Sequence, residues 1–222
     1  MPSHMIPQPP SFSPGDLEPG RIRVFGIMHI VFGALGLLGG SFFVAMLLVV
    51  DPLVLWFQDL VESELPSGSA VPPEAEMMIG AFDALRILMK ELALLNWIHA
   101  LTSLVVAVLI LVAGIRLVKK RRNAVQSSNL YSWASVGRRL IYLVLFLTTG
   151  VQAMRRYHAK IEELTGAASA SAPGSLNMMQ LQEVFGAATT VLSTFVALVY
   201  PILALVMLNK PLVKGYLDKN GA

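Results

Sequence analysis

Cysteine is absent from the 222 residues. That excludes disulfide-braced loops, thiolate metal sites and cysteine nucleophiles. Charge is scarce as well. Asp, Glu, Lys and Arg make up 14% of the chain, where an average soluble domain carries about 25%. The shortage is local: the stretches 24–50, 92–115, 140–154 and 184–209 hold no charged residue at all. Without a buried carboxylate in any of them, a conventional ion pathway lacks its usual partner for a cation. Histidine is also sparse, at four positions, and no H-x-x-x-H or H-E-x-x-H spacing occurs. No nucleophile–base pair or phosphate loop is present either. The sequence therefore predicts no enzyme, no metal and no cofactor.

Hydrophobic residues, at 55%, dominate what is there. Three of the four uncharged runs exceed the roughly 20 apolar residues that cross a hydrocarbon core about 30 Å thick. The expected fold is all-α, an integral membrane four-helix transmembrane bundle. Its spans are placed at about 22–50, 92–118, 135–155 and 184–209, within one transmembrane domain at 21–209. Two extracytoplasmic loops with amphipathic helical segments join them. Residues 1–20 are rich in Pro, Ser and Gly, carry no basic n-region, and are expected to form a disordered cytoplasmic tail. Residues 210–222 are expected to form a short basic cytoplasmic tail.

Lys and Arg divide unevenly among the connecting segments. Counted between the uncharged runs, twelve fall on the side of the termini and the 116–139 segment, and five on the other. The bias predicts that both termini are cytoplasmic. The 51–91 segment carries eight acids against two bases, which agrees with an outer location. The net charge of +3 reads as this membrane-side bias, so no nucleic-acid partner is expected. Localisation to a bacterial cytoplasmic (inner) membrane is expected.

The third run is the shortest, and a 15-residue helix covers only about 22 Å. Arginine pairs flank it, Arg138–Arg139 and Arg155–Arg156. The simpler reading is snorkelling, in which both pairs reach the headgroup layers. The other starts the helix near Tyr131–Trp133 and leaves Arg138 or Arg139 inside the bundle.

Both outer segments carry a breaker followed by a helical pattern. After PSGSAVPP (66–73), Glu74 and Glu76 occupy a first helical turn, and Met78, Phe82, Leu85 and Met89 recur three and four apart. This helix either runs into the second span or lies on the outer surface. SASAPGS (169–175) and NMMQLQEVFGA repeat the style before the fourth span.

Within the spans, Gly26, His29, Gly33, Gly36 and Gly40 form one seam on the first helix. Lipid supplies no hydrophobic drive between helices, so a seam of small residues that lets backbones approach predicts a packing face for another span or another copy. His29 is an intramembrane ionisable residue, suited either to a hydrogen bond with a neighbouring helix or to proton handling. Asn96, His99 and Ser103 share a face of the second span and form a candidate polar pocket. Trp97 reads as an aromatic-belt anchor. Gly186, Thr190, Ser193 and Ala197 line a stripe of the fourth span, and Pro201 should kink it. Lys119, Lys120, Arg121 and Arg122 form a basic run suited to anionic-lipid contact.

RIRVFGIMHIVFGALGLLGG (21–40) resembles the first span of uncharacterised bacterial four-span integral membrane proteins. VAGIRLVKKRRNAVQSSNLYSWASV (112–136) resembles the end of their second span, a basic turn and the start of the third. The first stretch also resembles the opening span of the CD20-like, membrane-spanning four-domain family. The resemblance implies a four-span fold and brings no catalytic residues. The expected function is that of a non-enzymatic scaffold, accessory subunit or homo-oligomer, with the lipid bilayer and another copy or membrane protein as partners. The alternative is a small transporter or channel lined by polar residues of spans one and two.

Overall fold

A computed structural model describes residues 19–63, 72–169 and 178–221. Most of the tail expected at 1–20, and of the breakers at 66–73 and 169–175, lies outside the described residues. Among those residues the chain is helical almost throughout: α1 (Gly20–Ser63), α2 (Pro73–Val118), α3 (Ala124–Leu145), α4 (Val151–Ser169), α5 (Met178–Leu208) and α6 (Pro211–Asn220). A π-helical stretch, Phe146–Gly150, joins α3 to α4 without a break. Four helices, counting α3–α4 as one, are long and apolar enough to cross a membrane.

Three of the four are much longer than a bilayer core. The 44 residues of α1 reach about 66 Å, and the 46 of α2 about 69 Å. The amphipathic segment expected after residue 73 is therefore not a separate loop helix. Pro73 at the first helical position and Glu74 and Glu76 in the first turn start α2 itself, which continues unbroken to Val118.

The turn that ends α2 is short and specific. Lys120 adopts a left-handed conformation, φ 51°. Its N–H bonds to the Leu117 carbonyl, while that of Arg121 reaches the Arg116 carbonyl. This is the Schellman arrangement that satisfies the last carbonyls of a helix, and α3 begins four residues later.

Packing differs between the two ends of the bundle. At the end where α1 starts and α2 turns into α3, an apolar cluster closes the interior: Ile22, Leu117, Ala124, Val125, Ala204 and Leu208. Helix α6 lies across it and contributes Val213, Tyr216 and Leu217. Toward the other end, α1 pairs with α2 and α2 with α4, and α5 leans on α3 while meeting α1 and α4 only lightly. The ion pairs Arg156–Glu91 (2.9 Å) and Arg86–Asp51 (3.6 Å) mark where charged residues return beyond the apolar section.

Large apolar side chains face outward along the whole apolar section, among them Leu35, Leu38, Phe42, Leu94, Val105, Ile141 and Val196. Helix α3 is inverted relative to a soluble amphipathic helix. Its buried face is Ser127, Ser128, Tyr131, Ser132 and Ser135, while Leu130, Trp133, Leu140 and Ile141 are exposed.

Candidate functional site: a basic cavity inside the bundle

The α1 seam meets α2 rung by rung. A Cβ at Gly26 would meet Leu117 and Val118, at Gly33 the backbone of Leu111, at Gly36 Ala107 and at Gly40 Leu104. The closest approaches are 2.7–3.0 Å; at Gly33 the obstacle is backbone and cannot yield, whereas at Gly26, Gly36 and Gly40 a side-chain atom of α2 would have to shift. His29 completes the seam, fully buried, above Gly114 of α2. The seam residues thus sit together, and their partner is α2 of the same chain. The matching small residues of α2, Ala107 and Gly114, were not singled out from the sequence. Their signal is a spacing of seven, the heptad complement of a glycine seam.

The His29 ring ties three helices together. Its Nδ1 lies 2.6 Å from the Tyr200 hydroxyl of α5, and its Nε2 lies 2.9 Å from Ser128 Oγ of α3. A neutral imidazole donates through one nitrogen and accepts through the other, and a hydroxyl can do either, so both bonds form in either tautomer. Phe25, Tyr131 and Tyr200 surround the ring edge-on or tilted. This layer and the apolar cluster beneath it close the basic end of the bundle.

Above the layer lies a half-open cavity of about 460 Å³ between α1, α2, α3 and α5. Phe32, Phe43, Val106, Ala107 and Ile110 give it apolar walls. Its polar lining is Tyr131, Ser135, Arg138, Arg139, His99, Ser103 and Tyr200. Among the described residues, no Asp or Glu belongs to that lining. Arg138 Nη1 donates to Ser103 Oγ. Among the described residues, the Nε atoms of both arginines and His99 Nδ1 are buried without a hydrogen-bond partner. Neither guanidinium has a carboxylate partner among the described residues.

Arg138 and Arg139 lie within α3, and their side chains line the cavity. The third helix starts at Ala124, eleven residues before the span expected at 135, so Arg138 lies about 21 Å along it from the basic end. Arg155 and Arg156 are about 26 Å further on. The hydropathy count missed this because the first turns of α3 are polar and turn inward. A spacing signal was available: Ser128, Tyr131, Ser135, Arg138 and Tyr142 recur at three, four, three and four, one continuous polar stripe.

The π-helical stretch keeps that stripe aimed. Its extra residue rotates the register between the cavity-facing part of the helix and α4, whose Ala153 and Tyr157 face α2. Thr148 and Thr149 hydroxyls donate to the Val144 and Leu145 carbonyls, which satisfies groups the bulge would otherwise strand. Phe146 stacks on Tyr142, which in turn packs on His99.

The expected pocket of Asn96, His99 and Ser103 is divided. His99 and Ser103 line the cavity, whereas Asn96 belongs to a separate cleft with Asp51, Lys90 and Trp97. One turn of helix separates Asn96 from His99, and the small rotation turns it toward α1. The basic run is divided too. Lys120 lies 5.8 Å above the Tyr216 ring, and Arg122 donates to the Asp218 carbonyl, so both face α6. Lys119 and Arg121 remain on the outer surface of the turn beside Arg116. On α5, Thr190 and Thr194 hydroxyls bond their own helix. Ala197 and Pro201 line the cavity, and the missing N–H of Pro201 releases the Ala197 carbonyl from its helical bond.

Comparison with protein-family models, curated proteins and solved structures gave no match.

Proposed function

We propose that this chain is an integral membrane protein of a bacterial cytoplasmic membrane, with four spans and both termini on the cytoplasmic side. It acts without covalent chemistry, by holding an anionic ligand in the cavity between α1, α2, α3 and α5. The outward apolar coat supports insertion, since lipid is the solvent that accepts it. Basic residues support the orientation. Even with Arg138 and Arg139 counted inside the bundle, ten Lys and Arg remain in the segments of the α6 end against five in those of the other.

The observation that carries the ligand reading is the pair Arg138 and Arg139 in a cavity without an acid. A cation at the centre of a bilayer costs about 3 kcal/mol, and leaving it unpaired adds to that. Two such groups on consecutive residues are expected only where an anion arrives to meet them. Guanidinium groups suit carboxylate and phosphate, which they bind with two parallel hydrogen bonds. A transport path through the same cavity would need a second opening, and the His29 layer and the α6 cluster close that end.

Two measurements test the reading together. Membranes washed with alkaline carbonate should retain the chain. Purified protein in neutral detergent should gain thermal stability, saturably, on titration with oleate or inorganic phosphate, at about 2.7 kcal/mol when the anion stands at a hundred times its Kd. The gain should vanish in Arg138→Gln/Arg139→Gln. Extraction by carbonate would remove the membrane reading, and indifference to both anions would remove the ligand.

A further inference from the structure

Resting on the cavity reading above, we infer that the site takes the anionic head of an amphiphile, a carboxylate or phosphate, which enters sideways from the membrane between α1 and α5. Three observations converge on it. The unpartnered polar atoms, Arg138 Nε, Arg139 Nε and His99 Nδ1, all belong to side chains on one cavity. The remaining walls are apolar, with Phe32 and Phe43 on the α1 side and Ala197 and Pro201 on the α5 side. The cavity is only half enclosed, and α5, which leans on α3, touches α1 lightly.

Size and depth narrow the ligand. A volume of about 460 Å³ is in the range of small-molecule pockets and smaller than a whole lipid. It admits a headgroup and the first carbons of a chain. The rest of the chain would remain in the lipid, passing between α1 and α5 beside the contact of Phe32 with Tyr200. Arg138 is about 21 Å from the basic end of its helix, near the middle of the apolar section. A soluble anion approaching that depth from the basic end would have to cross the His29 layer and the apolar cluster beneath it. An amphiphile already dissolved in the membrane reaches it by moving its head along the arginine-bearing face. The head that leaves water exchanges hydration for two guanidinium groups, and the guanidinium groups gain the partner they lack.

The test is native mass spectrometry of the full chain released from nanodiscs of phosphatidylcholine doped with phosphatidylglycerol or with oleate. The expected result is one anionic amphiphile retained per chain. Retention should fall about tenfold or more in Arg138→Gln/Arg139→Gln, as loss of charge-assisted hydrogen bonds requires. It should be unchanged in Lys119→Gln/Arg121→Gln, which removes surface contacts to anionic lipid and leaves the cavity intact. Retention lost in the surface variant and kept in the cavity variant overturns the inference. So does retention of phosphatidylcholine equal to that of the anionic lipids. Millimolar inorganic phosphate that binds the wild-type chain and displaces the amphiphile assigns the cavity to a soluble anion. That result defeats the amphiphile while leaving the anion-binding function standing. A double variant that unfolds is replaced by Val106→Trp, which fills the cavity from α2 and should also abolish retention.

Discussion

Gly114 of α2 lies directly beneath His29 of α1. A methyl group on Gly114 would stand 2.8 Å from His29 Cβ and 2.9 Å from the Gly26 carbonyl oxygen. The histidine that links α1, α3 and α5 is therefore held at its depth by a glycine on the fourth partner. Gly114→Ala should cost about 1–3 kcal/mol, the usual penalty for overpacking a filled interior. It should also loosen the Tyr200 and Ser128 hydrogen bonds, because His29 must shift to make room. Thermal unfolding in mild detergent checks the first expectation, and the tyrosine near-ultraviolet circular dichroism band the second. An unchanged midpoint would show that the α1–α2 contact is looser than its geometry.

The seam offers an internal comparison. A Cβ at Gly33 would lie 2.9 Å from Leu111 backbone atoms, whereas nothing stands within 4 Å of the same position at Gly39. Gly33→Ala should destabilise by about 1–3 kcal/mol. Gly39→Ala should be neutral or stabilising by up to about 1 kcal/mol, since alanine is the better helix former. Both are Gly→Ala on one helix, so the difference between their unfolding midpoints isolates the close approach from propensity. Equal effects would sink the packing account.

Much of the fold was legible because lipid imposes simple rules. Uncharged runs of 24 residues or more announced α1, α2 and α5, and the glycine spacing on α1 announced a close helix contact. What the seam packs against was not legible, because a packing face identifies itself without identifying its partner. The start of the third helix was not legible for a related reason. Its inner face is serine, tyrosine and arginine, so a hydropathy sum over 124–139 reads as loop, although the three-and-four recurrence from Ser128 to Tyr142 is that of a helix facing a polar interior. His99 and Ser103 were recognised from their shared face. Arg138 and Arg139, which give the cavity its charge, depended on the register of a helix that starts at Ala124, in the polar stretch before the uncharged run.

The His29–Tyr200 contact should be energetically coupled. Tyr200→Phe removes the hydroxyl 2.6 Å from Nδ1, and His29→Phe removes the ring nitrogens altogether. Each single change should cost about 0.6–1.7 kcal/mol, from the average to the maximum for hydrogen bonds between membrane helices. A double-mutant cycle should return a coupling of about 0.5–2 kcal/mol. Additive effects would mean that the two side chains stabilise the bundle separately, through packing alone.

Because the chain has no cysteine, single thiols can report its topology without a background to remove. Asn123→Cys, in the turn between α2 and α3, should react with a membrane-impermeant maleimide only from the cytoplasmic side. Asp59→Cys on α1 and Lys160→Cys on α4 should react only from the opposite side, since both lie beyond the ion pairs that end the apolar section. Leu35→Cys and Val105→Cys, exposed in the apolar section, should resist the reagent from either side until detergent is added. A fifth position carries the most weight. Ser135→Cys faces the cavity one turn from Arg138 and Arg139. If the cavity opens sideways into lipid, this thiol should resist the charged maleimide yet react with an apolar one such as N-phenylmaleimide. Rapid labelling by the charged reagent from the outer side would instead describe an aqueous vestibule, and lateral entry between α1 and α5 would then be wrong.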